Sequence, residues 1–287
     1  MNKKLILPLM VIFILGLWSV FMAVGDLSPA KTRVASSDVL VIAHRGASRT
    51  APENTLAAFE QGIEAGADLI ELDYFHADGK MIVIHDEMVE EVHIPTASAE
   101  VIRSVDVSMP QTFGAVYEQQ KVVNLEQAID VILPRALPLI EYKRTKEQTI
   151  EESKEQAKAL INFLSRKNVL QSVVVQSFDP YFLLECRRLS NSLVLGWLIW
   201  QRPEAKQFED VLEKMKPQII GWKRHGLDKD TLAYLHQRNH KVWVWFSGED
   251  KANDPMLALP TIEFGVDGLI TDHPGDVRAL VDWYRKR

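Results

Sequence analysis

Short apolar runs rich in β-branched residues recur along this chain, separated by amphipathic stretches of helical spacing. That alternation restricts the fold more than any other feature, because it is the pattern of βα units around a parallel sheet. Nine runs read as strands: VLVIAHR (from Val39), ADLIELDYF (Ala67), KMIVIHD (Lys80), LPLIEYKR (Leu137), SVVVQSF (Ser172), LVLGWLIW (Leu193), QIIGWKRH (Gln218), KVWVWFS (Lys241) and DGLITDHP (Asp267). The second and third are separated only by HADG, His76 to Gly79. Asp-Gly at that spacing is a hairpin signal, so the third run is an antiparallel return. Eight strands remain, alternating with helical stretches such as PENTLAAFEQGIEAG, NLEQAIDVIL, TKEQTIEESKEQAKALINFLSRK and DKDTLAYLHQRN. Eight βα units over residues 39–287 match the ~250 residues of an α/β (β/α)8 TIM-type barrel, here with an extra hairpin and a small insertion after the second strand. A doubly wound open sheet is the alternative, weakened by the lack of a glycine-rich phosphate fingerprint.

The start of the chain is of another kind. Lys3 and Lys4 precede twenty uncharged residues, Leu5 to Val24. A secretory apolar region is usually ~7–15 residues and a membrane span about 20, so residues 1–25 read as a signal anchor or transmembrane helix. The lysines then stay on the cytoplasmic side and the rest of the chain lies periplasmic or extracellular. A cleaved signal peptide ending near Ala23 to Gly25 is the alternative, giving a secreted protein. Residues 26–38, polar with Pro29 and several serines, read as a linker. The net charge of −6, without a basic run, speaks against nucleic acid as a partner. Cys186 is the one cysteine, so neither an intramolecular disulfide nor a cysteine metal cluster can form.

In a barrel of this type chemistry sits where strands end. Those ends carry His44-Arg45, Glu71-x-Asp73, Glu141-x-Lys143, Gln176-Ser177, Lys223-Arg224-His225 and Asp272. A hairpin centred between Asp78 and Gly79 sets position 71 opposite 86 and 73 opposite 84, which returns His85 and Asp86 to the same rim. Glu71 and Asp73, two apart on a strand, share a face, and Glu141 would come alongside. Three carboxylates drawn together call for one hard divalent cation such as Mg2+ or Ca2+. His44 and His85 suit proton transfer near neutrality, and Arg45 and Lys143 suit an anionic phosphate. No G-x-S-x-G elbow, H-E-x-x-H, phosphate-binding P-loop or Cys-His pairing stands out, which leaves metal-assisted acid-base chemistry on an anionic substrate such as a phosphodiester. Trp200, Trp222 and Trp245 fall near strand ends and are expected to line the pocket, where they would accept a partly apolar substrate from the membrane.

The segments AHRGASRTAPENTLAAF, GADLIELDYFHADGKMIVIHD, LIEYK, QSFD and VDGLITDHP, in this order, resemble the glycerophosphodiester phosphodiesterase family over nearly all of the chain after the linker. The resemblance implies a (β/α)8 barrel that hydrolyses glycerophosphodiesters to an alcohol and glycerol phosphate with a divalent cation. By that resemblance His44 and His85 are the acid-base pair, Glu71, Asp73 and Glu141 the metal ligands, and Arg45 and Lys143 the phosphate contacts. It also implies attack by a substrate hydroxyl adjacent to the phosphate, through a cyclic intermediate that water opens. The acidic stretch after Asp86, EMVEEVHIPTASAEVIRSVDVSM, and WVWFSGED after Val242 depart from the family's usual pattern. Residues 87–121 are expected to cover the mouth, with His93 as a loop residue. A lysophospholipase D acting on single-chain lipids, or a catalytically weak phosphodiester-binding barrel, are the competing readings.

Overall fold

The computed structural model describes residues 28–133, 135–246 and 255–287. Helix α1 (Pro29–Val34) precedes strand β1 (Leu40–Ala43), which is followed by helix α2 (Leu56–Glu64). Strand β2 (Leu69–Ala77) then pairs antiparallel with β3 (Lys80–Val83) across the Asp78-Gly79 turn. The small insertion holds β4 (Met88–Val89), β5 (Val92–His93), α3 (Ala99–Ser104), α4 (Pro110–Phe113) and β6 (Val123–Asn124). The βα alternation resumes with α5 (Leu125–Ile132), β7 (Leu137–Tyr142), α6 (Ile150–Arg166), β8 (Val174–Ser177), α7 (Pro180–Leu189), β9 (Val194–Ile199) and α8 (Ala205–Met215). It ends with β10 (Ile219–Lys223), α9 (Lys229–Gln237), β11 (Lys241–Trp245), α10 (Ala258–Phe264), β12 (Gly268–Thr271) and α11 (Pro274–Tyr284).

The parallel strands run β1, β12, β11, β10, β9, β8, β7, β2, and β2 pairs back onto β1, closing an eight-stranded barrel. Every one of the nine expected strands is present. The hairpin holds the expected register: Tyr74 stands opposite Val83, and the Ile84 N–H donates to the Asp73 carbonyl. Helices begin where the sequence supplies caps, with Asn124 and Thr149 each forming a reciprocal capping box.

Side chains alternate in and out along each strand, and this parity sorts the core. Leu40, Ile42, Leu69, Leu139, Val174, Val194, Ile219, Trp243 and Ile270 fill the barrel's lower interior. Their neighbours on the other face, such as Val41, Ile140, Val175 and Val244, pack under the helices.

Two expectations need correction. The stretch read as linker contains α1, whose buried Ala30 and Val34 join the lower interior cluster and close the N-terminal end of the barrel. Ser28 caps this helix and bonds to the Gln171 carbonyl. The segment 87–121 forms a satellite layer instead of a cover: Ile94, Ile102 and Val105 pack against Phe75, Ala77, Ile82 and Ile84 of the extended hairpin. The anchor expected over residues 1–25 lies outside the described residues. Among those described, no helix is long and apolar enough to cross a membrane.

Candidate active site

β1 ends at Ala43, and the chain turns sharply through Arg45 and Gly46, both at positive φ (52° and 83°). A side chain at position 46 would put its Cβ 2.5 Å from the Ala58 backbone, so only glycine permits this close approach of turn and helix. Left-handed Arg45 aims its own N–H at Glu71 Oε2 (2.8 Å), while its Nη1 meets both oxygens of Glu53 (3.0 and 2.9 Å) and its Nε lies 3.2 Å from Asp73. PENT does not begin the helix as its proline suggests. Asn54 sits at φ 57°, outside helical geometry, and clamps Asp73 with its amide at 3.0 Å; Thr55 becomes the N-cap.

Glu71, Asp73 and Glu141 are buried, and one carboxylate oxygen from each lies within 4.8 Å of the others. Oxygens facing one another across a cation bound at ~2.3–2.6 Å stand about 5 Å apart, so the spacing suits a hard divalent ion. Glu71 Oε1 is buried without a hydrogen-bond partner, an orphan that such an ion would satisfy. Burial, together with the charges of Asp73 and Glu141, pushes the Glu71 carboxyl well above the ordinary range. A bound cation relieves that repulsion. Burial also opposes ionisation of Asp73, yet Lys143, Arg45 and His85 outweigh it and hold this carboxyl well below its usual value. Lys143 Nζ bridges Glu141 Oε1 (2.8 Å) and Asp73 Oδ1 (3.3 Å), and Gln176 Nε2 donates to Glu141 Oε2 at 3.3 Å.

Each imidazole is anchored through Nδ1. His44 bonds Asp272 Oδ1 at 2.6 Å, and Ser48 Oγ donates to the same oxygen at 3.0 Å. His85 bonds Asp86 Oδ1 at 2.6 Å. Anchoring Nδ1 leaves Nε2 as the atom available to a bound molecule. Against the cost of its burial, the hydrogen bonds from His44 and Ser48 keep the Asp272 carboxyl below its ordinary range.

His44, Arg45, Glu71, Asp73, His85, Glu141, Lys143, Gln176 and Asp272 line one cavity of about 370 Å3, together with Phe178, Leu198, Trp200, Trp245 and Phe246. His44, His85, Arg45, Lys143, Glu71, Asp73, Glu141, Trp200 and Trp245 are thus brought together as expected. Trp222 is not. Residues 219, 221 and 223 of β10 point inward, so Trp222 points outward and is wholly buried against Phe208. His93 stays outside as well, bonded to Thr96, and no residue of 87–121 lines the cavity. Sequence reasoning missed Asp272 as the partner of His44, Asn54 as the clamp on Asp73, and Phe178 as part of the apolar wall. The signal for Asp272 was present in its parity, two beyond inward Ile270 on β12.

Known proteins resemble this chain in sequence and in fold. The model of the Glycerophosphoryl diester phosphodiesterase family matches residues 44–276. A glycerophosphodiester phosphodiesterase of Caldanaerobacter subterraneus subsp. tengcongensis is 30% identical over 262 residues, covering 84% of this chain and 97% of its own. The crystal structure of a Thermotoga maritima glycerophosphodiester phosphodiesterase superposes with a TM-score of 0.64 at 26% identity, over 84% of this chain and 98% of that one. An Oleispira antarctica phosphodiesterase, solved in complex with the product sn-glycerol-3-phosphate, shares the fold with a TM-score of 0.74 at 23% identity, over 87% and 99% of the two chains.

Proposed function

The chain belongs to the glycerophosphoryl diester phosphodiesterase family and is a phosphoric diester hydrolase, and from that premise we propose that it cleaves glycerophosphodiesters to an alcohol and glycerol phosphate by two-histidine acid-base catalysis. The observation that carries this is the meeting, in one cavity, of two imidazoles each held by an aspartate and a buried acid triad with an orphan oxygen. Glu71, Asp73 and Glu141 would hold one divalent cation, which supplies Lewis-acid polarisation of the phosphate. Arg45 and Lys143 take up the anionic phosphoryl oxygens, where fixed positive charge stabilises the charge that develops in the transition state. One imidazole removes the proton from the attacking hydroxyl, which belongs to the substrate glycerol next to the phosphate. The other protonates the leaving alkoxide, and the roles reverse when water opens the cyclic ester. Asp272 and Asp86 keep the two rings in the tautomer and orientation that this exchange requires.

The wall of Phe178, Trp200 and Trp245 supports a leaving alcohol with some apolar surface. Trp200 and Trp245 lie 4.9 Å apart, and Phe178 stands edge-on to Trp245 at 5.7 Å. The reading is tested with glycerophosphocholine as substrate, with and without chelator. Turnover should vanish on chelation, and His44→Ala and His85→Ala should each lower it by about 10² to 10⁴ while the fold persists. A wild-type rate in the variant lacking both imidazoles overturns the mechanism.

A further inference from the structure

The two ends of the barrel differ in charge as well as in role. At the catalytic end Asp86 is exposed, and the insertion beside it exposes Glu90, Glu91, Glu100, Asp106 and Glu118 against Arg103 and Lys121. At the other end, where α1 closes the interior, the exposed side chains include Lys216, Arg33, which pairs with Asp68 at 3.5 Å, and Arg238, which pairs with Glu209 at 3.7 Å. Helix α11 finishes there too: Arg285 pairs with Asp38 at 3.2 Å and donates to the carbonyl of Val39, the residue before β1. It delivers Trp283 and Tyr284, exposed at 42% and 39%, beside Arg285, Lys286 and Arg287. The Arg287 guanidinium stacks on the Trp283 ring at 3.7 Å. Asp38, Glu213 and Asp282 are exposed at the same end, so its positive charge is concentrated in the run Arg285, Lys286 and Arg287, and exposed tryptophan and tyrosine beside arginine and lysine is the pairing that suits a lipid headgroup layer.

The chain arrives at this same end. Leu5 to Val24, the one long uncharged run of the sequence, stops four residues before Ser28, the cap of α1. Four residues extend at most ~14 Å, so a membrane-held run at that position keeps the basic face near the lipid surface.

We propose that the α1 end of the barrel lies on an anionic phospholipid bilayer and that the catalytic mouth opens away from it. β1 alone lifts His44 on the order of 13 Å above its first residue, and α1 adds the ~10 Å thickness of a helix beneath. A lipid in the supporting bilayer therefore has to leave it entirely to reach the cavity. Taken with the proposed phosphodiesterase reading, on which this consequence rests, the orientation selects diesters that arrive through water and rules out the direct transfer from the membrane that the aromatic strand ends suggested.

The test uses the full chain reconstituted in vesicles of phosphatidylcholine and phosphatidylglycerol, with a fluorophore on either Gln237→Cys, exposed at the end of α9, or Val116→Cys, 81% exposed in the insertion. Cys186 is buried, so the unmutated chain serves as the labelling blank. A lipid carrying a headgroup quencher should quench the label at 237 at least threefold more than the label at 116. Replacing phosphatidylglycerol by phosphatidylcholine, or introducing Arg285→Gln, Lys286→Gln and Arg287→Gln together, should shrink that contrast. Lysophosphatidylcholine held in the supporting bilayer should turn over at least tenfold more slowly than the same lipid offered in solution. Equal quenching, stronger quenching at 116, or none at either site overturns the orientation, the last also pointing to an acidic protein or a second copy as the partner of the basic face. A contrast that ignores both lipid charge and the triple variant overturns the electrostatic part. Intact quenching with no hydrolysis of glycerophosphocholine leaves the orientation standing and overturns the catalytic reading alone.

Discussion

Parity along a strand decides what a tryptophan does in this barrel. Trp200 stands at an inward position just beyond β9 and is 51% exposed at the mouth, whereas Trp222 points outward from β10 and is 0% exposed. Trp222→Ala should cost about 3–5 kcal/mol of stability by leaving a cavity against Phe208. Trp200→Ala should leave the urea midpoint nearly unchanged and raise KM instead; equal loss of stability in both variants contradicts the assignment. Both residues read alike by position near a strand end, and only counting by twos from Ile219 separates them. The acid cluster was legible because E-x-D places two acids on one face. Asn54 was not, since its clamp on Asp73 depends on a left-handed turn that PENT conceals. His76 carries a pH dependence of its own. Burial pushes its imidazole down to about 4 from an ordinary 6.5. Between those values the unfolded chain binds more protons than the folded one, so stability falls as pH drops from about 6.5 towards 4, by about 3 kcal/mol in all. Urea unfolding of wild type and His76→Phe at pH 7 and pH 4.5 checks this: the variant should lose less stability on acidification.

The barrel strands and long helices carry their signal in many residues, and every expected strand is in place. α1 carries it in few. Its six residues bury only Ala30 and Val34, too little periodicity to stand out from polar surroundings, although Ser28 followed by Pro29 is a helix-start pattern. Its docking is tertiary, onto a floor to which eight strands contribute side chains and which no local reading assembles. Val34→Asp would bury an unpaired carboxylate in that apolar floor and should lower stability by about 3 kcal/mol or more. Because the floor lies at the opposite end from the cavity, KM and turnover of the folded fraction should hold. Thermal melts with parallel kinetics distinguish this from damage to the site. The insertion was illegible for a related reason: four of the seven buried residues of its small core come from the overhanging hairpin, not from residues 87–121 themselves.

At the scale of the whole molecule the fold brings β1, β2, β7 and β12 together at one rim, and the meeting of three buried carboxylates that the strand ends foretold is the consequence. Lys143 and Arg45 offset part of this charge, yet Glu71 keeps an oxygen without a partner and a carboxyl that resists ionisation. A folded barrel with this cluster should bind a divalent cation that the unfolded chain, with its acids 70 positions apart in sequence between Glu71 and Glu141, cannot gather. Linkage then makes stability depend on the ion: at a concentration one hundred times Kd the gain is about 2.7 kcal/mol. For a domain of this size each kcal/mol moves Tm by roughly 2–4 °C, so saturation with Mg2+ or Ca2+ should raise Tm by roughly 5–10 °C. Glu71→Gln should abolish most of the rise. It should also melt no lower than wild type in chelator, because it removes a carboxyl whose ionisation the site already opposes. The melt needs no substrate and so reports the cation site apart from catalysis. A Tm that ignores both ions in the wild-type chain removes the acid triad from consideration as a metal centre, whatever the hydrolysis assays show.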